Sequence, residues 1–398
     1  MKCLEENALK KLISLFKGDL NEKADIDLCN VIPGEKAWIE GSLPSSAYWS
    51  SICYGDDKFV AVASGSNKFA YSADGITWTE GTLPSSDQWS SICYGNGKFV
   101  TVAYSNNYKL AYSTDGIKWY QKTTLPTGNP WARVYYGGGK YIITSSVSDN
   151  RIAYSTDGLN WTESTLPSVT LLKSVCYGND KFVALTHTGK TCLYSTDGIT
   201  WKSSNQMSSM DESWQSVCYG NGKFVAISSY SSDSTGKCVY SEDGINWTST
   251  TLPYSSDAGD NSWKSVCYGD NKFMAITSSS NIVACSEDGI NWIKSIMSDA
   301  KKWDSICYGS GNFVVIPSGN ANTIARYSRS IFFTTMDDNY LSKKNVDSSL
   351  SSASTNPVQN KVVNDALNEK APAYTYSTTD LTPGTSYLET GKLYIVYK

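Results

Sequence analysis

One histidine, four arginines and a periodic set of aspartates are the groups from which a reaction centre could be assembled in this 398-residue chain. A Ser-His-Asp nucleophile would have to be built on His187, and no serine and aspartate near it suggest one. Glycoside hydrolysis needs only two carboxyl groups, and the chain has 38 Asp and Glu. The regularly placed acids, however, are Asp74, Asp115, Asp157, Asp197, Asp243 and Asp288, each followed by glycine, and Asp-Gly between strand-like runs is turn chemistry. Cys53, Cys93, Cys176, Cys218, Cys267 and Cys307 recur in one slot without the paired spacing of a zinc site. They read as small buried side chains in a reducing compartment. These residues lead us to expect no catalytic residue, no metal site and no cofactor.

The regular spacing has a plain cause. Seven copies of a unit of about forty residues open at Trp49, Trp89, Trp131, Leu172, Trp214, Trp263 and Trp303. A repeat of this length cannot bury its own apolar face and must stack on its neighbours. In the first copy the spacing predicts four strands: Trp49–Tyr54, Lys58–Ala63, Lys68–Ser72 and Ile76–Thr79. Aromatic and β-branched residues fill them, and Gly-Asp-Asp, Asp-Gly and Leu-Pro segments separate them. Four antiparallel strands per copy describe a propeller blade. All 13 tryptophans fall in the repeat frame, six opening the first strand and seven in the fourth, which suits a ring of aromatics wedged between blades.

The expected fold is all-β, a seven-bladed β-propeller over residues 36–335, with a short N-terminal helix, a C-terminal helix and a small β module. Ala37–Pro44 reads as a fourth strand with no first three before it, and the last copy loses its Asp-Gly. Residues near Trp38 are therefore expected to complete the last blade, with Ile331–Thr334 competing for that place.

Recognition should lie on one face only. Turns between first and second strands and between third and fourth are nearly uniform, so that face is scaffold. The other connections differ from copy to copy, and variable loops on a rigid scaffold are where binding residues collect. Tyr48, Tyr104, Tyr108, Asn150, Arg151, Tyr230 and Tyr254 are the candidates there, since aromatic faces stack on sugar C–H patches and short polar groups bond hydroxyls. Arg133 joins them because it stands where six copies carry serine, near the channel if the first strand is innermost. Tyr135 replaces the cysteine of the same copy, so compensated packing is the other reading of that pair.

The flanks differ in composition. Residues 1–35 hold a helical spacing over Leu4–Phe16 and a polar connector. Residues 336–371 read as a Ser- and Lys-rich linker followed by a helix whose stripe of Val358, Val362, Val363 and Leu367 needs a partner. Residues 372–398 end in the strand-like Leu393–Tyr397. A net charge of −4 on 18% charged residues gives no basic field for nucleic acid, and no apolar run approaches bilayer length, so neither nucleic acid nor membrane insertion is expected.

Ser-x-Asp-Gly-x-x-Trp resembles the Asp-box of sialidase-type propellers, one residue shorter than the usual form. The likeness covers about three quarters of the chain and implies the fold rather than an activity. Sialidase-type chemistry would need three converging arginines and a Tyr–Glu pair. Here Arg133, Arg151, Arg326 and Arg329 sit in the third and seventh copies alone. The string Asn356-Pro-Val-Gln-Asn-Lys-Val-Val is similar to a segment of bacteriophage tail-fibre and minor tail proteins. Asp19-Leu-Asn-Glu-Lys-Ala-Asp and the Leu381–Tyr397 ending also resemble parts of such proteins. That resemblance implies a virion tail protein made in the bacterial cytoplasm, commonly a trimer, in contact with other tail or baseplate proteins. The expectation is thus a tail fibre or receptor-binding protein that recognises host surface glycan or wall polymer. A glycan-cleaving tail enzyme and a purely structural baseplate protein are the alternatives.

Overall fold

The computed structural model describes residues 37–328 apart from short stretches at 106–107, 123–124, 129, 188–190, 205–206, 208–212, 230–235, 254–261, 279 and 298–301. The N-terminal helix, the C-terminal helix and the small β module all lie outside the described residues. Trp38–Ser328 forms one compact unit.

Every described element is a strand, because the sequence alternates short β-branched and aromatic runs with turn residues. Copy five shows the pattern: Trp214–Gly220, Lys223–Ser228, Gly236–Ser241 and Thr248–Leu252 pair antiparallel in chain order. Copies three, four and six likewise form separate four-stranded sheets. The remaining strands are hydrogen-bonded in one nine-strand series. It runs from Trp303–Gly309 through Asn320–Ser328 to Ala37–Gly55, and on to Tyr120–Lys122. The strand carrying Trp38 therefore lies beside the last strand of copy seven. Trp38 and Tyr327 pack with ring centroids 5.3 Å apart, and Leu43 joins Val314, Ile316 and Ile324 in one buried cluster.

The second strand of each copy is buried along nearly its whole length, as in Phe224, Val225, Ala226 and Ile227. Such a strand is covered on both sides, which is why it reads as a continuous apolar run. Each core cluster draws on two consecutive copies: Val183 and Leu185 of copy four pack with Trp214 and Phe224 of copy five. The opening indoles, from Trp49 to Trp303, are at most 2% exposed. The copies thus have no private cores, which is the physical reason the repeat must be an array.

First strands of successive copies contact one another and fourth strands scarcely do, so the first strand is innermost. At its end a glycine receives the tyrosine ring of the following copy. Gly55 lies under Tyr94, Gly95 under Tyr136, Gly137 under Tyr177, Gly178 under Tyr219, Gly220 under Tyr268 and Gly269 under Tyr308. Gly309 in turn lies under Tyr54 of copy one. A Cβ at any of these glycines would overlap the ring.

Copy one departs from the sequence-based expectation at several boundaries: Lys58–Ala63 and Lys68–Ser72, expected as two strands, lie in one, Lys58–Ser72, and Ala37–Gly55 and Thr79–Gly95 each run on through a Leu-Pro segment expected to break them. The fourth strand of copy one begins at Thr79, not Ile76, and residues 73–78 form a loop. Asp74 Oδ1 accepts the amides of Ile76 and Thr77, each at 2.8 Å, so those amides are withdrawn from the ladder. Trp78 therefore precedes the strand rather than lying inside it.

Candidate binding face and channel mouth

One face is a lattice of repeated turns. In copy four, Ser195 Oγ accepts the Gly198 amide at 2.8 Å and donates to Asp197 Oδ1 at 2.9 Å. Asp197 Oδ1 in turn accepts the Ile199 and Thr200 amides at 2.8 Å. The same bonds recur at Asp74, Asp115, Asp157, Asp243 and Asp288. The Thr200 amide, working against partial burial and joined by the Ile199 amide, holds the Asp197 carboxyl down at about 2. These acids accept hydrogen bonds as anions and carry no proton to give. Adjacent turns are tied together too: Asn221 Nδ2 donates to Glu287 O at 3.0 Å, and Lys181 Nζ to Asp243 O at 2.8 Å.

The opposite face carries the copy-specific loops, and each pair of loops is joined at its base. The amide after the second strand donates to the carbonyl before the first strand: Tyr104 to Gln88 O at 2.8 Å, Ser146 to Pro130 O at 2.9 Å, Ser229 to Ser213 O at 2.9 Å. Opening indoles reach the same loops, with Trp89 Nε1 donating to Ser85 O at 3.1 Å and Trp131 Nε1 to Pro126 O at 2.8 Å.

The structure separates the candidate residues into groups. Tyr48 and Tyr104 are 60% and 46% exposed and belong to neighbouring copies. Tyr48 pairs with Ser64, Ser64 with Gln88, and Gln88 O takes the Tyr104 amide, so the two rings stand on one stretch of rim. Tyr108 and Arg151 meet at the loop 126–130. Tyr108 Oη donates to Gly128 O and accepts the Gly128 amide. Arg151 forks onto Glu163 at 2.5 and 3.1 Å, donates to Thr127 O at 2.6 Å, and lies 5.0 Å over the Trp131 ring. The Glu163 hydrogen bond, opposed by burial, raises the Arg151 guanidinium above its usual range and lowers the Glu163 carboxyl. Arg151 thereby shapes that loop. Asn150 is exposed beside it. Tyr230 and Tyr254 lie outside the described residues.

Arg133 stands apart, on the inner strand of copy three. In other copies the serine at this position accepts an amide from the next inner strand, as Ser91 does from Val134 at 3.1 Å and Ser174 from Val217 at 3.2 Å. Arginine cannot accept, and Tyr135 makes the link to copy four instead, its hydroxyl 3.4 Å from Lys173 O. Burial pushes that phenol up to about 12. Lys173 and Lys264 occupy the position after the opening residue in copies four and six, and sequence reasoning passed over both. The signal available was that the same position is Ser in copies one and two. His187 is exposed in the loop above copy four, where burial and then the Lys173 charge hold it below the usual histidine range.

Cys53, Cys93, Cys176, Cys218, Cys267 and Cys307 are half-buried as residues, but their side chains pack on clusters shared with a neighbouring copy. Burial pushes these thiols up, Cys307 to about 12. Among the described residues no group of His, Cys, Asp and Glu is arranged to hold a metal ion.

No family model matches the chain, and no curated protein matches it. Solved structures do. Virginiamycin B lyase from Staphylococcus aureus is similar at a TM-score of 0.63 and 13% identity, over 74% of this chain and 99% of that one. YCF48 bound to D1 peptide matches at a TM-score of 0.57 and 17% identity, over 73% of this chain and 94% of that one. The WD40 β-propeller domain of Doa1 gives a TM-score of 0.55 at 13% identity, over 74% and 96%. At these identities the likeness concerns the fold, and the fold is a β-propeller.

Proposed function

We propose that this chain is a bacteriophage virion tail fibre or receptor-binding protein whose propeller recognises host cell-surface glycan or wall polymer through its variable loop face. One observation carries the reading. A single scaffold presents two unlike faces, one a lattice of repeated hydrogen-bonded turns, the other copy-specific loops joined at their bases, with Tyr48 and Tyr104 exposed along one rim. Sugar recognition needs that pairing of rigid frame and exposed aromatics.

We infer seven blades, the number of copies in the sequence. The glycine-to-tyrosine contacts support it, since they pass through each copy in turn and come back from Gly309 to Tyr54. The Asn356-Pro-Val-Gln-Asn-Lys-Val-Val resemblance supports the virion assignment. On this reading residues 1–35 and 336–371 assemble the chain, as a homotrimer, with other tail or baseplate proteins in the host cytoplasm. The shortened Asp-box resemblance supports the propeller fold alone, and no catalysis is proposed.

Adsorption tests the assignment. The double variant Tyr48→Ala/Tyr104→Ala should keep the wild-type melting temperature and lose most binding to host cells. Undiminished adsorption would overturn the choice of face. Release of reducing sugar from purified host walls would overturn the binding role in favour of a glycan-cleaving one.

A further inference from the structure

The inner strands hold a place where charge does not balance. Ser50 and Ser51 both reach the inner strand of the following copy: Ser50 Oγ donates to Trp89 O at 2.7 Å, and Ser51 Oγ accepts the Ile92 amide at 3.2 Å. A register shift after each opening residue brings this about, since a bulge re-aims the side chains next to it. Lys264 follows the same rule, its Nζ 3.0 Å from Asp304 of the next copy. The shift recurs between Trp131 and Arg133 and between Leu172 and Ser174. Arg133 is thus directed at the strand that bears Lys173. Burial first, then the like charges of Arg133 and Lys264, hold the Lys173 ammonium below the usual lysine range.

Three cations therefore share one arc of the inner ring, at the end that opens on the variable face, with Asp304 as the carboxylate paired there. Among the described residues no hydrogen bond or ion pair engages the Arg133 guanidinium or the Lys173 ammonium. Both residues are partly exposed. The chain as a whole is acidic, with net charge −4, and six copies carry serine where Arg133 stands, so this arc is a local reversal of the protein's character. Asp304 answers Lys264 alone, so the charges of Arg133 and Lys173 repel one another, and an anion from outside relieves that repulsion.

We propose that this arc of the channel mouth is a binding site for an oxyanion, a phosphate or carboxylate group carried on a cell-surface polymer, seated between Arg133 and Lys173. The Arg133 fork offers two parallel donors to two oxygens of one group, and Lys173 adds a point charge. Asp304 repels an anion at its own end of the arc, which places the ligand on the copy-three side. The site deepens the recognition reading above and rests on it for the source of the oxyanion only.

Calorimetric titration of the full chain with inorganic phosphate and with acetate, at low and high sodium chloride, tests the site. The variants are Arg133→Ser, which installs the residue of the other six copies and so keeps the fold, and Lys173→Gln. Lys58→Gln is the control, a lysine paired with Asp56 on the opposite face. Wild type should bind at least one anion, more weakly as salt rises. Each channel variant should lose roughly ten-fold or more in affinity, the order expected for a charge-assisted hydrogen bond, and the control should match wild type. The anion preferred, phosphate or acetate, identifies the polymer's charged group. Absence of binding by wild type, or Arg133→Ser binding as tightly as wild type, would overturn the site. Cell adsorption is a separate readout: its absence in wild type counts against the recognition reading alone, because the phosphate titration needs no cell.

Discussion

The Tyr54 ring covers Gly309 across the junction between the first and last copies, as Tyr94 covers Gly55 at the next junction. A side chain at position 309 has no room until the ring moves. Gly309→Ala should therefore cost about 1–3 kcal/mol of stability in chemical denaturation, the range for overpacking at a well-packed site. A variant as stable as wild type would show that this junction is loose.

The Trp38 strand makes a second prediction about closure. The chain lacking residues 1–36 sets the reference melting temperature. Removing residues 1–44 strips the partner from Asn320–Ser328 and bares Tyr327 and Ile324. That truncation should lower the melting temperature by several degrees and raise binding of a hydrophobic dye.

Acid should act through the aspartate turns. Asp197 and Asp243 sit at about 2 in the folded protein, below the ordinary carboxylate value of about 4. A depressed carboxyl adds stability that is complete above its unfolded value and is lost as protonation proceeds downward. Stability should accordingly be flat above pH 5 and fall between about pH 4 and pH 2. Asp197→Ala, which removes the acceptor for two amides, should cost about 1–2 kcal/mol at neutral pH. It should also reduce the fall with acid, as followed by urea melts at several pH values.

Thiol chemistry gives a fourth. Only the thiolate is nucleophilic, and burial pushes Cys307 to about 12 and Cys192 to about 11. At pH 8 the nine described cysteines should react slowly with an aromatic disulfide reagent in a Cys3→Ser/Cys29→Ser background, those two lying outside the described residues. The urea-unfolded wild-type chain should react at all 11 cysteines. Prompt reaction of any of the nine in the native protein would contradict the packing described.

Arg151 supplies the last. Its fork holds Glu163 and Thr127 together and crowds Gly128. Arg151→Lys keeps the charge but not the planar geometry, so it should speed hydrogen exchange at the Gly128 amide about ten-fold while the melting temperature stays within a few degrees.

Much of the architecture was legible because the repeat restates it. Tryptophan at a fixed spacing marks the inner strand, and Phe-Val-Ala runs mark the buried second strand, whatever the neighbouring loops do. The fourth strand was set three residues early because Asp74 holds the amides of Ile76 and Thr77, and a carboxylate's choice of partner is not written in hydrophobic periodicity. The candidate face was only partly legible. Arg151, a candidate for ligand contact, braces a loop through Glu163, a residue in another strand, and that role could not be read from its own position. Lys173 and Lys264 were missed for a related reason. The bulge that aims them toward the next copy is a matter of backbone register, and no residue type announces it.

The amide-to-carbonyl bonds at the loop bases have a consequence for change over time. Each bond acts as a rivet at the root of a loop pair, so residues can be inserted or exchanged above it without disturbing the torus beneath. If the proposed recognition role holds, specificity can then drift one sector at a time, and a chain of this design can follow a changing target while its frame stays as it is.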